Sequence, residues 1–157
     1  MGLRFGTALF DETGNLLAYE SHHSESLDEL KESAIPRALT WAESFPPKTS
    51  LTHLICEGGA ELSSLWTAQA QCEGIVVCAE EWRKNMLLPK EKRGSIQSKS
   101  AARTIAKQVI ARSRASTRTE LNTDASEAIL VGHHAVTELR WRTGVLVERY
   151  TNGNVVP

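Results

Sequence analysis

The sequence has 157 residues, of which 41% are hydrophobic and 24% charged, and this is typical of one globular domain with its own core. No apolar run reaches membrane-spanning length and no signal or transit peptide is recognisable, so we expect no membrane association. Cys56, Cys72 and Cys78 form no C-x-x-C pair. We interpret them as reduced thiols of an intracellular protein, not as a disulfide framework or a zinc site.

The net charge of −1 conceals a separation of charge along the chain. Residues 83–118 carry eleven Lys or Arg and one acid, a net of +10, whereas the remainder carries seven basic and eighteen acidic residues, a net of −11. Such a segment predicts contact with nucleic-acid phosphates. The alternative is a solvated helix face with its loop, although such faces usually mix both signs. The candidate phosphate-binding residues are Arg83, Lys84, Lys90, Lys92, Arg93, Lys99 and Arg103.

The predicted elements begin with a β-hairpin over residues 3–10 and 16–22, because both runs alternate in polarity around the turn signal DETGN. His22 and His23, at its end, are predicted surface residues. A helix follows over 26–45, where Pro36 would kink or break it. The later elements are a strand over 51–57, a helix over 58–71, a strand over 74–79, a helix over 80–88, a basic loop over 89–95, helices over 98–113 and 122–141, and a strand or extended tail over 143–153.

This order predicts an α/β fold, with a mixed sheet covered by helices on both faces. In such folds functional groups gather at the carboxyl ends of parallel strands. Glu57 lies at such an end, followed by two glycines that let a ligand come close. We expect Glu57 to be poorly solvated there, and further acids nearby would raise its pKa.

Two more acids, Asp124 and Glu127, open the last long helix three residues apart and so share one of its faces. With Glu57 they form a candidate acidic cluster for Mg²⁺ or Mn²⁺, and two such ions can support phosphodiester hydrolysis. In the alternative interpretation Glu57 is a surface residue and the helix acids complement the helix dipole, with Thr123 capping onto Glu127. The neighbouring basic segment favours metal and phosphate binding.

The order of these pieces resembles the RuvC-type Holliday-junction resolvases of the RNase H-like superfamily. The resemblance rests on the hairpin FGTALFDETGNLLAYE, the strand end LICEGG and, most specifically, the helix start TDASEAILVG, and it covers roughly residues 2–137. It implies an RNase H-like fold, a magnesium-dependent endonuclease acting on four-way DNA junctions, and a homodimer. Glu57 matches the family's strand-end acid, and Asp124 and Glu127 match the acids of its last helix.

One departure concerns the family's first strand, which ends in D-P-G and supplies a further metal-binding Asp. Gly2 would match that glycine, so we expect the strand to lie upstream of Met1 and the chain to be truncated or degenerate. The alternatives are a branched-DNA-binding module without catalysis and another phage or transposase-type nuclease. The expected location is the cytoplasmic nucleoid, or an organelle if a targeting segment is missing. The apolar positions of the helix over 26–45 support the dimer.

Overall fold

The computed structural model describes residues 3–45, 51–113, 115–117, 119–142, 149–151 and 154–156. It confirms the predicted hairpin, in which strands β1 (Leu3–Phe10) and β2 (Leu16–Ser24) run antiparallel. Asp11 holds the turn between them, because its Oδ1 accepts the backbone N–H groups of Thr13 and Asn15, each at 2.9 Å. Such bonds from an aspartate side chain to the backbone two residues on are typical of tight turns.

The predicted helices and the two strands over 51–57 and 74–79 are confirmed with shifts at the ends, whereas the short strand over 116–117 and the 3-10 turn within the predicted basic loop were not expected. The elements are α1 (Leu27–Glu29), a π-helical turn (Leu30–Ala34), α2 (Ile35–Glu43), β3 (His53–Glu57), α3 (Ala60–Ala70), β4 (Glu73–Val77), α4 (Ala79–Met86), a 3-10 turn (Pro89–Lys92), α5 (Ser95–Ser113), β5 (Ser116–Thr117), α6 (Thr123–Arg142), β6 (Arg149–Thr151) and β7 (Asn154–Val156). The predicted tail over 143–153 lies partly outside the described residues. Among the described helices, none combines the length and the apolar character needed to cross a membrane.

Pro36 changes the helix geometry without ending the helix. Proline has no backbone N–H and its ring clashes with the preceding turn of a regular helix. The residues just before it form the π-helical turn, and Pro36 itself sits in the first turn of α2. Single π-helical turns occur within longer α-helices.

The described strands form three small sheets. One is mixed: β1 pairs with β2 antiparallel, and β2 pairs with β5 in parallel. In the others β3 and β4 are parallel and β6 and β7 antiparallel. Helix α6 packs against β1, β2 and β3, so a single helix connects the first two sheets. The α/β class is thereby confirmed, while a single RNase H-like sheet stays a prediction.

Helices cover both faces of the hairpin. Along β1, Ala8 and Phe10 pack into the larger core with α4, α5 and α6, whereas Leu3 and Phe5 pack against the smaller cluster of the π turn and α2. This division follows from the alternation of side chains along a strand.

The helix over 27–43 buries most of its apolar positions inside the chain, while Leu27 at its start is exposed. Leu30, Ala34, Ile35 and Trp41 are all buried within the described structure. These residues are not available to a partner, so the independent support that they offered for a homodimer is withdrawn. The homodimer then rests on the family resemblance alone.

The prediction that His22 is a surface residue is wrong. Only 7% of its side chain is exposed, its ring stacks on Phe5 with centroids 4.7 Å apart, and its Nε2 lies 2.8 Å from Thr7 Oγ1. Burial lowers the pKa of His22 to about 4, and the positive charge of Arg37 adds to this shift. The histidine is therefore neutral near pH 7.

Candidate nucleic-acid interface

Glu57 is the last residue of β3, at the carboxyl end of the parallel pair β3–β4. It lies opposite Val77 in the strand register, and α4 begins two residues after Val77, which brings the first turns of α4 beside Glu57. The fully buried Trp82 of α4 donates its Nε1–H to Glu57 Oε2 at 2.8 Å. The expectation of poor solvation is wrong because Glu57 is exposed at the strand end. The indole N–H nevertheless fixes the direction of this carboxylate.

Glu127 reaches the same region from α6. Burial raises its pKa above the usual range, and the negative charge of Glu57 raises it further. Arg83 opposes this shift, since its Nη2 donates to Glu127 Oε1 at 3.2 Å, and the positive charge of Lys99 acts in the same direction as Arg83. Glu57 and Glu127 therefore share one electrostatic environment, next to two cations.

Asp124 lies one turn before Glu127 on α6, and its backbone is pressed against β1. A Cβ added to Gly6 would overlap the carbonyl oxygen of Asp124. A residue without a side chain is therefore needed at position 6 for α6 to start where it does. This contact sets the position of the helix end that carries both acids.

The cap of α6 is Asn122. Its Oδ1 accepts the backbone N–H of Ala125 at 3.0 Å, and its carbonyl oxygen accepts that of Ser126 at 3.1 Å. The alternative in which Thr123 caps the helix together with Glu127 is therefore wrong, since the Glu127 carboxylate turns to Arg83 instead. Asparagine is among the preferred cap residues for the same reason as threonine, a side-chain oxygen within reach of the first free N–H groups.

The fit of a metal centre depends on how many hard oxygen ligands come together. Glu57 and Glu127 offer the carboxylate oxygens that Mg²⁺ and Mn²⁺ prefer. Among the described residues, however, no three His, Cys, Asp or Glu side chains form a group that could hold a metal ion. The described residues thus present the carboxylates of Glu57 and Glu127 without a third ligand beside them, and a metal-binding role of Asp124 stays a prediction.

A groove of about 650 Å³ opens beside Glu127, between α4, the loop after it and the first turns of α5. Its charged lining consists of Arg83, Lys84, Lys92, Lys99, Glu80 and Glu127. The loop is held in place because Lys92 Nζ donates to the carbonyl oxygen of Lys84 at 3.2 Å. With four cations and two acids, the groove has a net positive charge and suits an anionic ligand.

Four of the seven predicted phosphate-binding residues therefore line one groove. In the described structure the other three lie outside its lining. Lys90 and Arg93 are exposed on the segment around the 3-10 turn. Arg103, also exposed, lies on α5, where its Nη2 is 3.7 Å from a carboxylate oxygen of Glu120. These three cations can add to the field around the groove but do not shape it.

The roles of Trp82 and Arg83 toward the two carboxylates were not foreseen from the sequence. A signal was available for Trp82, because a tryptophan buried in a core usually needs an acceptor for its N–H. No comparable signal identified Glu127 as the partner of Arg83.

A search of protein-family models, of curated proteins and of solved structures finds no match to this chain. The resemblance to the RuvC-type resolvases rests on the hairpin, the strand end and the helix start alone. What it implies about activity and partners is therefore a proposal.

Proposed function

We propose that this protein is a RuvC-type, structure-selective DNA endonuclease domain that holds a four-way junction in its basic groove. The groove is the observation that carries the proposal, because Arg83, Lys84, Lys92 and Lys99 line it together with the carboxylate of Glu127. Contacts of this kind to backbone phosphates give affinity and set the position of the nucleic acid. A strand lying in the groove would pass next to the Glu127 carboxylate.

Cleavage requires metal ligands in addition to the basic groove. By resemblance, Glu57, Asp124 and Glu127 would be the ligands of Mg²⁺ or Mn²⁺, but the described residues bring only two of them into one environment. We therefore expect weak or no cleavage by the 157-residue chain. The RNase H-like fold and the homodimer, which would place two sites on a symmetric junction, belong to the same proposal, as does a location where DNA is present, such as the nucleoid.

A binding module without catalysis is the second candidate, and one observation favours it. Both carboxylates already accept hydrogen bonds from the protein itself, Glu57 from Trp82 and Glu127 from Arg83. Such bonds suit a structural role in which the acids hold α4 against β3 and α6.

Binding is tested by a mobility-shift titration with a four-way junction and with a linear duplex of the same sequence. We expect the junction to bind more tightly, and Lys92→Glu with Lys99→Glu to abolish binding because both cations line the groove. Lys31→Glu is the control, since Lys31 is exposed on the π turn outside the basic segment. Equal binding by the groove variant and the control would refute the proposal.

Cleavage is tested on the same junction with Mg²⁺ or Mn²⁺. Any nicking should disappear in Glu57→Gln and in Asp124→Asn while binding is kept, because neither substitution alters the basic groove. Junction binding without nicking by the parent chain would favour the binding module. Nicking that survives both substitutions would exclude these acids from catalysis.

A further inference from the structure

The consecutive residues Trp82 and Arg83 of α4 hold the two carboxylates of the pair, one each. The buried Trp82 fixes Glu57 on β3, and Arg83 pairs with Glu127 on α6. The two contacts differ in their access to solvent, because Trp82 is fully buried whereas 36% of the Arg83 side chain is exposed. Only the Arg83 contact borders the groove that would hold DNA.

Arg83 has donors left over for a second partner. Its Nη2 bonds to Glu127, while its Nε is buried, has no hydrogen-bond partner among the described residues, and could donate to a ligand only after the side chain moves toward the groove. The guanidinium also lies 5.1 Å from the centroid of the Trp82 ring, a distance at which a cation is attracted to the ring face. A guanidinium presents its N–H groups in a planar fork that matches a phosphate as well as a carboxylate.

We propose that Arg83 is a positioning residue that exchanges Glu127 for a backbone phosphate when DNA enters the groove. This inference rests on the proposed function, since it assumes that the groove holds DNA. In the free protein the ion pair keeps Arg83 at the groove wall and occupies Glu127. In the complex Arg83 contacts the phosphate, and Glu127 is released next to the bound strand. Glu127 is then a competitor of DNA for Arg83.

This competition predicts that removing the ion pair between Glu127 and Arg83 raises the affinity for DNA. Glu127→Gln removes the charged partner, so Arg83 no longer has to leave an ion pair before it contacts phosphate. Exposed and partly exposed ion pairs of this type correspond to about a two- to fivefold change in an equilibrium. We expect Glu127→Gln to bind a four-way junction tighter by about that factor, whereas Arg83→Gln should bind more weakly.

The test is a double-mutant cycle of Arg83→Gln and Glu127→Gln, with dissociation constants measured by fluorescence anisotropy on a labelled four-way junction. The gain from Glu127→Gln should disappear when Arg83 is already Gln. Glu80→Gln is the matched control, because it removes the same charge from the lining of the same groove without an ion pair to Arg83. Its effect should be smaller and equal in both backgrounds.

Four results would overturn the inference. The gain from Glu127→Gln could be the same with and without Arg83, or the same as that from Glu80→Gln; either would leave only general charge repulsion. If Glu127→Gln weakened binding, the ion pair would be purely structural. If the parent chain failed to bind any DNA, the proposed function would fall together with this role. Should Arg83→Gln not fold, as judged by circular dichroism, Arg83→Met would replace it in the cycle, because methionine keeps an unbranched side chain for packing and removes the charge that pairs with Glu127.

Discussion

Replacing Lys92 and Lys99 with Gln should flatten the salt dependence of DNA binding. Four cations line the groove, and each phosphate neutralised on duplex DNA contributes about −0.9 to the slope of log affinity against log salt. The parent slope should therefore be about −3.6 and that of the double variant about −1.8. Between about 50 and 200 mM salt, these slopes correspond to losses of roughly 150-fold and roughly 12-fold in affinity.

The assay is a series of anisotropy titrations of a labelled four-way junction at increasing salt concentration, with the slope as the result. Lys31→Gln is the control for a lost positive charge outside the groove, and it should keep the parent slope. If the double variant kept the parent slope as well, the groove cations would not contact phosphates. A uniformly lower affinity without a change of slope would lead to the same conclusion.

Three further predictions concern stability and assembly. Gly6→Ala should lower the free energy of unfolding by about 1–3 kcal/mol in urea, because the new Cβ overlaps the Asp124 carbonyl oxygen; Gly59→Ala, where a Cβ meets nothing within 4 Å, should cost less, and equal losses would contradict the packing argument. Because the pKa of His22 falls from 6.5 to about 4 on folding, the unfolded chain binds more protons between these values. Stability should thus fall as the pH drops through this range, by on the order of 3 kcal/mol. His22→Phe should lose less stability between pH 7 and 4, and parallel pH curves of the two proteins would refute this. Sedimentation at micromolar concentration should give twice the chain mass of 17.3 kDa if the proposed homodimer forms, and a monomer alone would contradict it.

The local elements of this protein could be read from its sequence because their causes are local. The alternation of polarity around DETGN is sufficient for the hairpin, and the helical spacing of apolar residues identifies the helices. The concentration of cations in residues 83–118 is likewise visible without coordinates. Pro36 was expected to kink or break the helix, but only the turn before it differs, since that turn is π-helical. The helix continues because apolar residues on both sides of Pro36 are buried.

The site depends instead on contacts between residues far apart in the chain. Trp82 reaches Glu57 across 25 positions and Arg83 reaches Glu127 across 44, and neither pairing follows from any local pattern. The cap of α6 and the burial of His22 were also misjudged, since each depends on which neighbouring groups the packed structure brings within hydrogen-bonding or van der Waals distance. The sequence by itself determined the elements and the charge of the basic segment. Only the tertiary structure decided which cations line the groove and which donors hold the two carboxylates, because distance and burial arise when β3, α4 and α6 pack together.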